Sequence, residues 1–304
     1  MSPCTADYVC LNTEHPSPPD RVLPEAAWQN TMRSDRFVDV VTGAAGFLDT
    51  RVGALWNTQA LFVQFEIVES LIETRCTQRD ALVFAEKPVE LMIDGGDCYY
   101  ELAINALGTI YEVFFIWKDA FRQSGRFDRP EFDVLKRNAL TFCGDSDRNP
   151  ETFWRGTHPR GCRWVFLDWD LPGLCVNVSI DESMNYPTHA DVGWRTDLVI
   201  PWAGMQWLAG GRSLPPTDGD EWRIYIRLQS DACCRRKGCS PSADLGATAS
   251  WCARRASAGA VLTDYVLETS GSVRREVMCR VPIKAVGVRP SDQGGRMAQC
   301  AKEE

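Results

Sequence analysis

Residues 89–105 read Val89-Glu90-Leu91-Met92-Ile93-Asp94-Gly95-Gly96-Asp97-Cys98-Tyr99-Tyr100-Glu101-Leu102-Ala103-Ile104-Asn105. Val89, Leu91 and Ile93 alternate with Glu90, Met92 and Asp94, the period of two that an extended chain produces when one face is buried. Asp94-Gly95-Gly96-Asp97 is a turn signal. Beyond it, Leu102 and Ile104 share one face, and Glu101, Ala103 and Asn105 share the other. The two runs are therefore expected to form a β-hairpin whose polar face carries Glu90, Glu101 and Asn105 together. The plain reading of such a face is the solvated side of an antiparallel sheet. The acceptors, the amide and the neighbouring aromatic Phe84 make it the candidate binding face.

The same pattern recurs outward from the hairpin. Ala106-Leu107-Gly108 breaks the second run, and Thr109 to Trp117 is a further strand rich in β-branched and aromatic residues. Leu61, Val63, Phe65 and Ile67 alternate with Phe62, Gln64 and Glu66. Strand signals return at Arg163–Trp169, Leu174–Ile180, Trp194–Ile200 and Trp222–Leu228, and a short helix is expected at Ala203–Ala209. Residues 119–160 are rich in turn formers. Many short strands joined by turns predict an all-β sandwich with loop-rich insertions.

The 304 residues are 44% apolar with a net charge of -8, which suits a chain that buries a sizeable core and disfavours binding to a phosphate backbone. No run is long and apolar enough for a membrane span. Met1 to Pro19 lacks a recognisable secretion signal, which leaves the compartment open. The charge is unevenly placed. Residues 231–304 hold 12 Lys/Arg against 8 Asp/Glu, a net of +4, while residues 1–230 hold 21 against 33, a net of -12. Of the aromatics, only Trp251 and Tyr265 fall in the last 74 residues. The chain thus divides into a patterned unit, 1–230, and a basic Cys/Arg-rich segment, 231–304, with β-like runs at Ala260–Leu267 and Val277–Val288. Two readings of that segment stay open: a disordered basic tail, or an artefact of the gene model, out-of-frame text.

Thirteen cysteines cannot all pair within one chain. Cys98, Cys143, Cys162 and Cys175 read as small buried hydrophobes. Cys233, Cys234 and Cys239 lack the spacing of a zinc site. Asp94 and Asp97 would suit a structural calcium ion, without the ligand spacing of an EF-type loop, and no other cofactor or metal is indicated.

The order of several short motifs resembles the family 9 carbohydrate-binding modules and family 9-like sugar-binding proteins, over roughly residues 8–230. The motifs include Trp28 in LPEAAW, Ala54-Leu55-Trp56-Asn57, Pro88 to Asp94, Tyr99-Tyr100-Glu101-Leu102 with Asn105, and His158-Pro159-Arg160-Gly161. Trp169-Asp170-Leu171-Pro172-Gly173-Leu174, Ile200-Pro201-Trp202 and Gly219-Asp220-Glu221-Trp222-Arg223 complete the series. The resemblance implies a jelly-roll or immunoglobulin-like sandwich that binds a saccharide, in the setting of xylan- or cellulose-type polysaccharide catabolism and beside a catalytic partner protein. It implies Phe84 as one stacking ring, Glu90 as acceptor for sugar hydroxyls, and Glu101 and Asn105 as further polar contacts. Trp251 is the candidate for the second ring. The family's sugar-binding arginine falls at Ala103, so that contact is missing.

Three other readings sit beside this one. Glu90 and Glu101 would be close enough for a retaining glycoside hydrolase, although no catalytic residue is assigned. Met92 would suit a heme ligand, but no His accompanies it on a neighbouring strand. Arg163, Arg223 and Arg227 are either sugar ligands or arginines paired with the excess carboxylates, and Trp56, Trp194, Trp202 and Trp222 are expected in the core.

Overall fold

The alternation over residues 89–105 becomes an antiparallel pair with Val89 opposite Ile104 and Asp94 opposite Tyr99. A computed structural model describes residues 8–15, 21–38, 45–46, 48–83, 86–142, 160–180, 193–228 and, as backbone, 277–286. In chain order the strands are β1 (Tyr8–Asn12), β2 (Asp49–Trp56), β3 (Ala60–Val68), β4 (Val89–Asp94), β5 (Cys98–Ile104) and β6 (Ile110–Trp117). They continue with β7 (Leu140–Phe142), β8 (Arg163–Phe166), β9 (Cys175–Ile180), β10 (Trp194–Pro201), β11 (Glu221–Leu228) and β12 (Val277–Val286). The one α-helix among the described residues, α1, is the single turn Glu25–Trp28 after Pro24. The helix expected at Ala203–Ala209 is instead a 3-10 turn over Trp202–Met205. Pro201, which has no N–H to donate, closes β10 just before it.

Hydrogen bonding links the strands in the order β7-β8-β6-β5-β4-β11-β12-β1-β2-β3-β10-β9. Pairs are antiparallel except where β1 meets β12 and β2. The Val277–Val286 run inside the basic segment thus lies in the sheet, registered against β11 from Glu221↔Lys284 to Leu228↔Val277.

The two flanks fold face to face as a β-sandwich. Val89, Leu91, Ile93, Leu102, Ile104 and Phe114 from one flank pack in a single core with Val63, Phe65, Ile67, Trp194 and Leu198 from the other. At one end a Cβ placed on Gly108, after β5, would meet Val178 of β9 at 3.6 Å, so the flanks are in contact there. Trp56, Trp194, Trp202 and Trp222 are all buried in this core.

Each outer face is covered as well. Leu23 and Trp28 close over Leu55, Phe62 and Val199 on one side. On the other, Val83 with Cys76 and Leu82 packs on Tyr99, Ala103, Tyr111, Val113 and Phe115. The face that reads as solvated is therefore interior: Glu90, Glu101 and Asn105 are 1%, 2% and 1% exposed.

The cysteine reading changes at two positions. Cys175 is only half-buried. Cys162 is disulfide-bonded rather than a small buried hydrophobe, whereas Cys98 is buried with its thiol directed at the Trp207 carbonyl. Cys143 and Cys233, Cys234 and Cys239 lie outside the described residues.

Candidate functional site

Pleating sends Glu90 and Met92 of β4, Tyr99, Glu101 and Ala103 of β5, and Tyr111, Val113, Phe115 and Trp117 of β6 to the outer face. β11 adds Tyr225 and Arg227, and β8 adds Arg163 and Val165. Glu90 sits between Ala103 on β5 and Arg227 on β11, which are its register partners on either side. Arg227 donates through Nε to Glu90 Oε2, and both side chains are at most 2% exposed. Arg227 thus reaches Glu90 from β11, the neighbour of β4 on the side away from Ala103.

Glu101 is diagonal to Glu90 across the hairpin, since its direct partner is Met92. Diagonal positions lie about 7–8 Å apart, close enough for the two carboxylates to repel. Burial first, and then the Glu90 charge, push the Glu101 carboxyl up to about 7; the nearby charges of Arg227 and Arg163 act in the other direction. Its Oε2 accepts no hydrogen bond among the described residues.

Arg163 lies farther along the face. Its register partners are Trp117 on β6 and Phe142 on β7. Their rings flank the guanidinium at 4.9 Å and 4.5 Å, with Tyr99 at 5.7 Å. Among the described residues no carboxylate pairs with it, the Tyr99 hydroxyl is its hydrogen-bonding neighbour, and the residue is 1% exposed. Of the two roles open to the arginines, Arg227 pairs with a carboxylate and Arg163 does not. Arg223 is mostly exposed and 4.0 Å from Asp94.

Asn105 is used within the fold. Its Oδ1 accepts from the Leu107 and Thr109 amides at 3.0 and 2.9 Å, closing the β5–β6 turn. Its Nδ2 donates to the Cys76 carbonyl at 2.8 Å and to Glu86 at 2.9 Å. Glu86 also accepts from Thr74 and from the Arg75 and Cys76 amides, and these bonds lower its pKa against the opposing effect of burial. Together Asn105 and Glu86 clamp residues 74–76 onto the edge of the face. The sequence reading did not single out Glu86, and it named Tyr99 only within a motif of the resemblance. The second was legible from the period of two on β5, but a lone Glu in an aperiodic segment carries no such signal.

Phe84 and Trp251 lie outside the described residues. In the turn, Asp94 accepts from the Gly96 amide and Asp97 pairs with Arg160 at 2.6 Å. Among the described residues no group of three or more His, Cys, Asp or Glu is arranged to hold a metal ion, and no helix is long and apolar enough to cross a membrane. Met92 is buried on the same face, while His15, the one described histidine, follows β1 in the other flank. A separate apolar pocket of about 10 Å³, lined by Cys10, Trp56, Trp202 and Trp222 among others, is no larger than a water molecule requires.

No family model matches the chain, and no curated protein does. Solved structures do. A carbohydrate-binding module family 9 from Caldicellulosiruptor kristjanssonii in complex with cellotriose is 10% identical, with a TM-score of 0.41, over 93% of this chain and 96% of that one. The same kind of module from that organism in complex with glucose is 10% identical, with a TM-score of 0.40, over 93% and 98%. A crystal structure of a Bacteroides uniformis protein is 12% identical, with a TM-score of 0.41, over 74% and 84%.

Proposed function

We propose that this chain is a saccharide-binding β-sandwich whose site is the outer face carrying Glu90, Glu101, Arg227 and Arg163. The observation that carries the reading is a cluster of buried polar groups beside aromatic rings: among the described residues Glu101 Oε2 accepts no bond, and the Arg163 guanidinium meets the neutral Tyr99 hydroxyl and no carboxylate. Such groups cost about 1–3 kcal/mol each when they stay unpaired. A pyranose offers the complement, hydroxyls for the polar atoms and an apolar C–H face for a ring. Phe84 and Trp251 are the proposed stacking rings, and Asn105 holds the edge of the site. The proposed setting is xylan- or cellulose-type polysaccharide catabolism, alongside a catalytic partner.

The face is closed by Cys76, Leu82 and Val83. Binding through it therefore needs this cover to lift, and association slower than about 10⁵ M⁻¹s⁻¹ is expected. Calorimetry of the full chain with xylo- and cello-oligosaccharides tests the reading, and a folded chain that binds no saccharide removes it.

A second reading follows from the contrast between Glu90, paired with Arg227, and Glu101, raised to about 7. Carboxylates in unlike environments suit a general acid and a general base at a glycosidic bond, and the diagonal spacing of about 7–8 Å fits the inverting arrangement rather than the expected retaining one. It predicts hydrolysis of an aryl glycoside that Glu101→Gln abolishes. Turnover unaltered in that variant excludes this pair.

A further inference from the structure

Arg163 sets a charge on the outer face that the saccharide reading, on which this inference rests, leaves unexplained. Glu90 neutralises Arg227. Arg163 has no carboxylate partner among the described residues, and the polar group that meets it there is the neutral Tyr99 hydroxyl. Trp117, Phe142 and Tyr99 offset part of that cost by cation–π contact. They fix the plane of the guanidinium, and the Tyr99 hydroxyl offers its N–H groups a neutral acceptor, which leaves the charge without an anion among the described residues. A guanidinium so held presents a rigid fork that matches a carboxylate in two parallel bonds.

Glu101 feels the charge of Arg163 yet forms no ion pair with it, and it keeps an unmatched oxygen. A ligand that spans the two must bring an anion at one end and a hydroxyl at the other. We infer that the site takes a saccharide bearing a uronic acid, whose carboxylate docks on Arg163 while a ring hydroxyl bonds to Glu101. The excess of carboxylates elsewhere narrows the class further. Residues 1–230 carry a net charge of -12, which repels a polyanion over the range of a Debye length, about 8 Å at physiological salt. The ligand is therefore an isolated uronic acid on an otherwise neutral glycan, not a polyuronate.

The test is calorimetry of the full chain with three ligands differing at one group: methyl β-D-glucuronide, its uronamide, and methyl β-D-glucoside. The glucuronide is expected to bind at least about ten-fold tighter than the other two, the gain of a charge-assisted bidentate contact. Arg163→Gln, shown folded by circular dichroism, is expected to bring the three to equal affinity. If that variant does not fold, the ligand series decides alone. Equal binding of all three by the natural chain, or a preference for the glucoside, overturns the uronic acid and leaves the saccharide reading standing. No binding of these or of neutral oligosaccharides by the folded chain removes both.

Discussion

Arg227→Met leaves Glu90 buried in the middle of a sheet without its counter-ion. The two groups are at most 2% exposed, so water offers no substitute. Removing one partner of such a pair costs about 3–5 kcal/mol, most of it the penalty of the stranded charge. For a domain of 150–250 residues each kcal/mol moves Tm by roughly 2–4 °C, so a fall of about 6–20 °C is expected. The loss has a genetic signature, because Glu90→Met in the same chain removes the stranded charge and restores most of the stability. Calorimetric scans of the natural chain, both single variants and the double variant supply the cycle. A loss under about 1 kcal/mol for Arg227→Met, or a double variant no better than the single, would refute the buried pair.

The other predictions concern neighbouring groups. Glu101 has a folded pKa of about 7, above its ordinary value of 4.5. The folded state then holds the proton more tightly, so this group's contribution is full below about pH 4.5 and is lost as pH rises to 7. Glu101→Gln should flatten the fall in urea midpoint over that window, and an unchanged slope would contradict the assignment. Asn105→Ala removes four hydrogen bonds and should cost about 2–4 kcal/mol, with faster amide exchange at Cys76 and Thr109; protection equal to the natural chain would count against the clamp. Truncation after Leu228 removes β12 and leaves β11 and β1 as open edges. Tm should fall by at least about 10 °C and the protein should self-associate, and a truncated chain that melts with the full one would show that β12 is dispensable.

The hairpin was legible because its information is local: the period of two and the Asp94–Asp97 turn set both strands, and β4 runs from Val89 to Asp94 as read. The same period sorted the inner residues Leu91, Ile93, Leu102 and Ile104 into the core. What it could not convey was the fate of the other face. A strand with Glu90 and Glu101 outward looks solvated, since the Cys76–Val83 cover has no periodicity to announce itself. The counter-ion of Glu90 lies 137 residues away, beyond any local pattern. For the same reason the three arginines could not be sorted by sequence, although one pairs with a glutamate and another stands between rings. Val277–Val288 read as β-like, yet its place between β11 and β1 depends on chain closure rather than on its own residues.

Titration of the full chain by calorimetry, side by side with its Glu101→Gln variant, decides whether the Glu90–Glu101 face binds a saccharide. The natural chain is expected to bind an oligosaccharide saturably at one site, at least about ten-fold more tightly than the folded variant. Binding of equal strength by both proteins, or no binding by a folded natural chain, would contradict it.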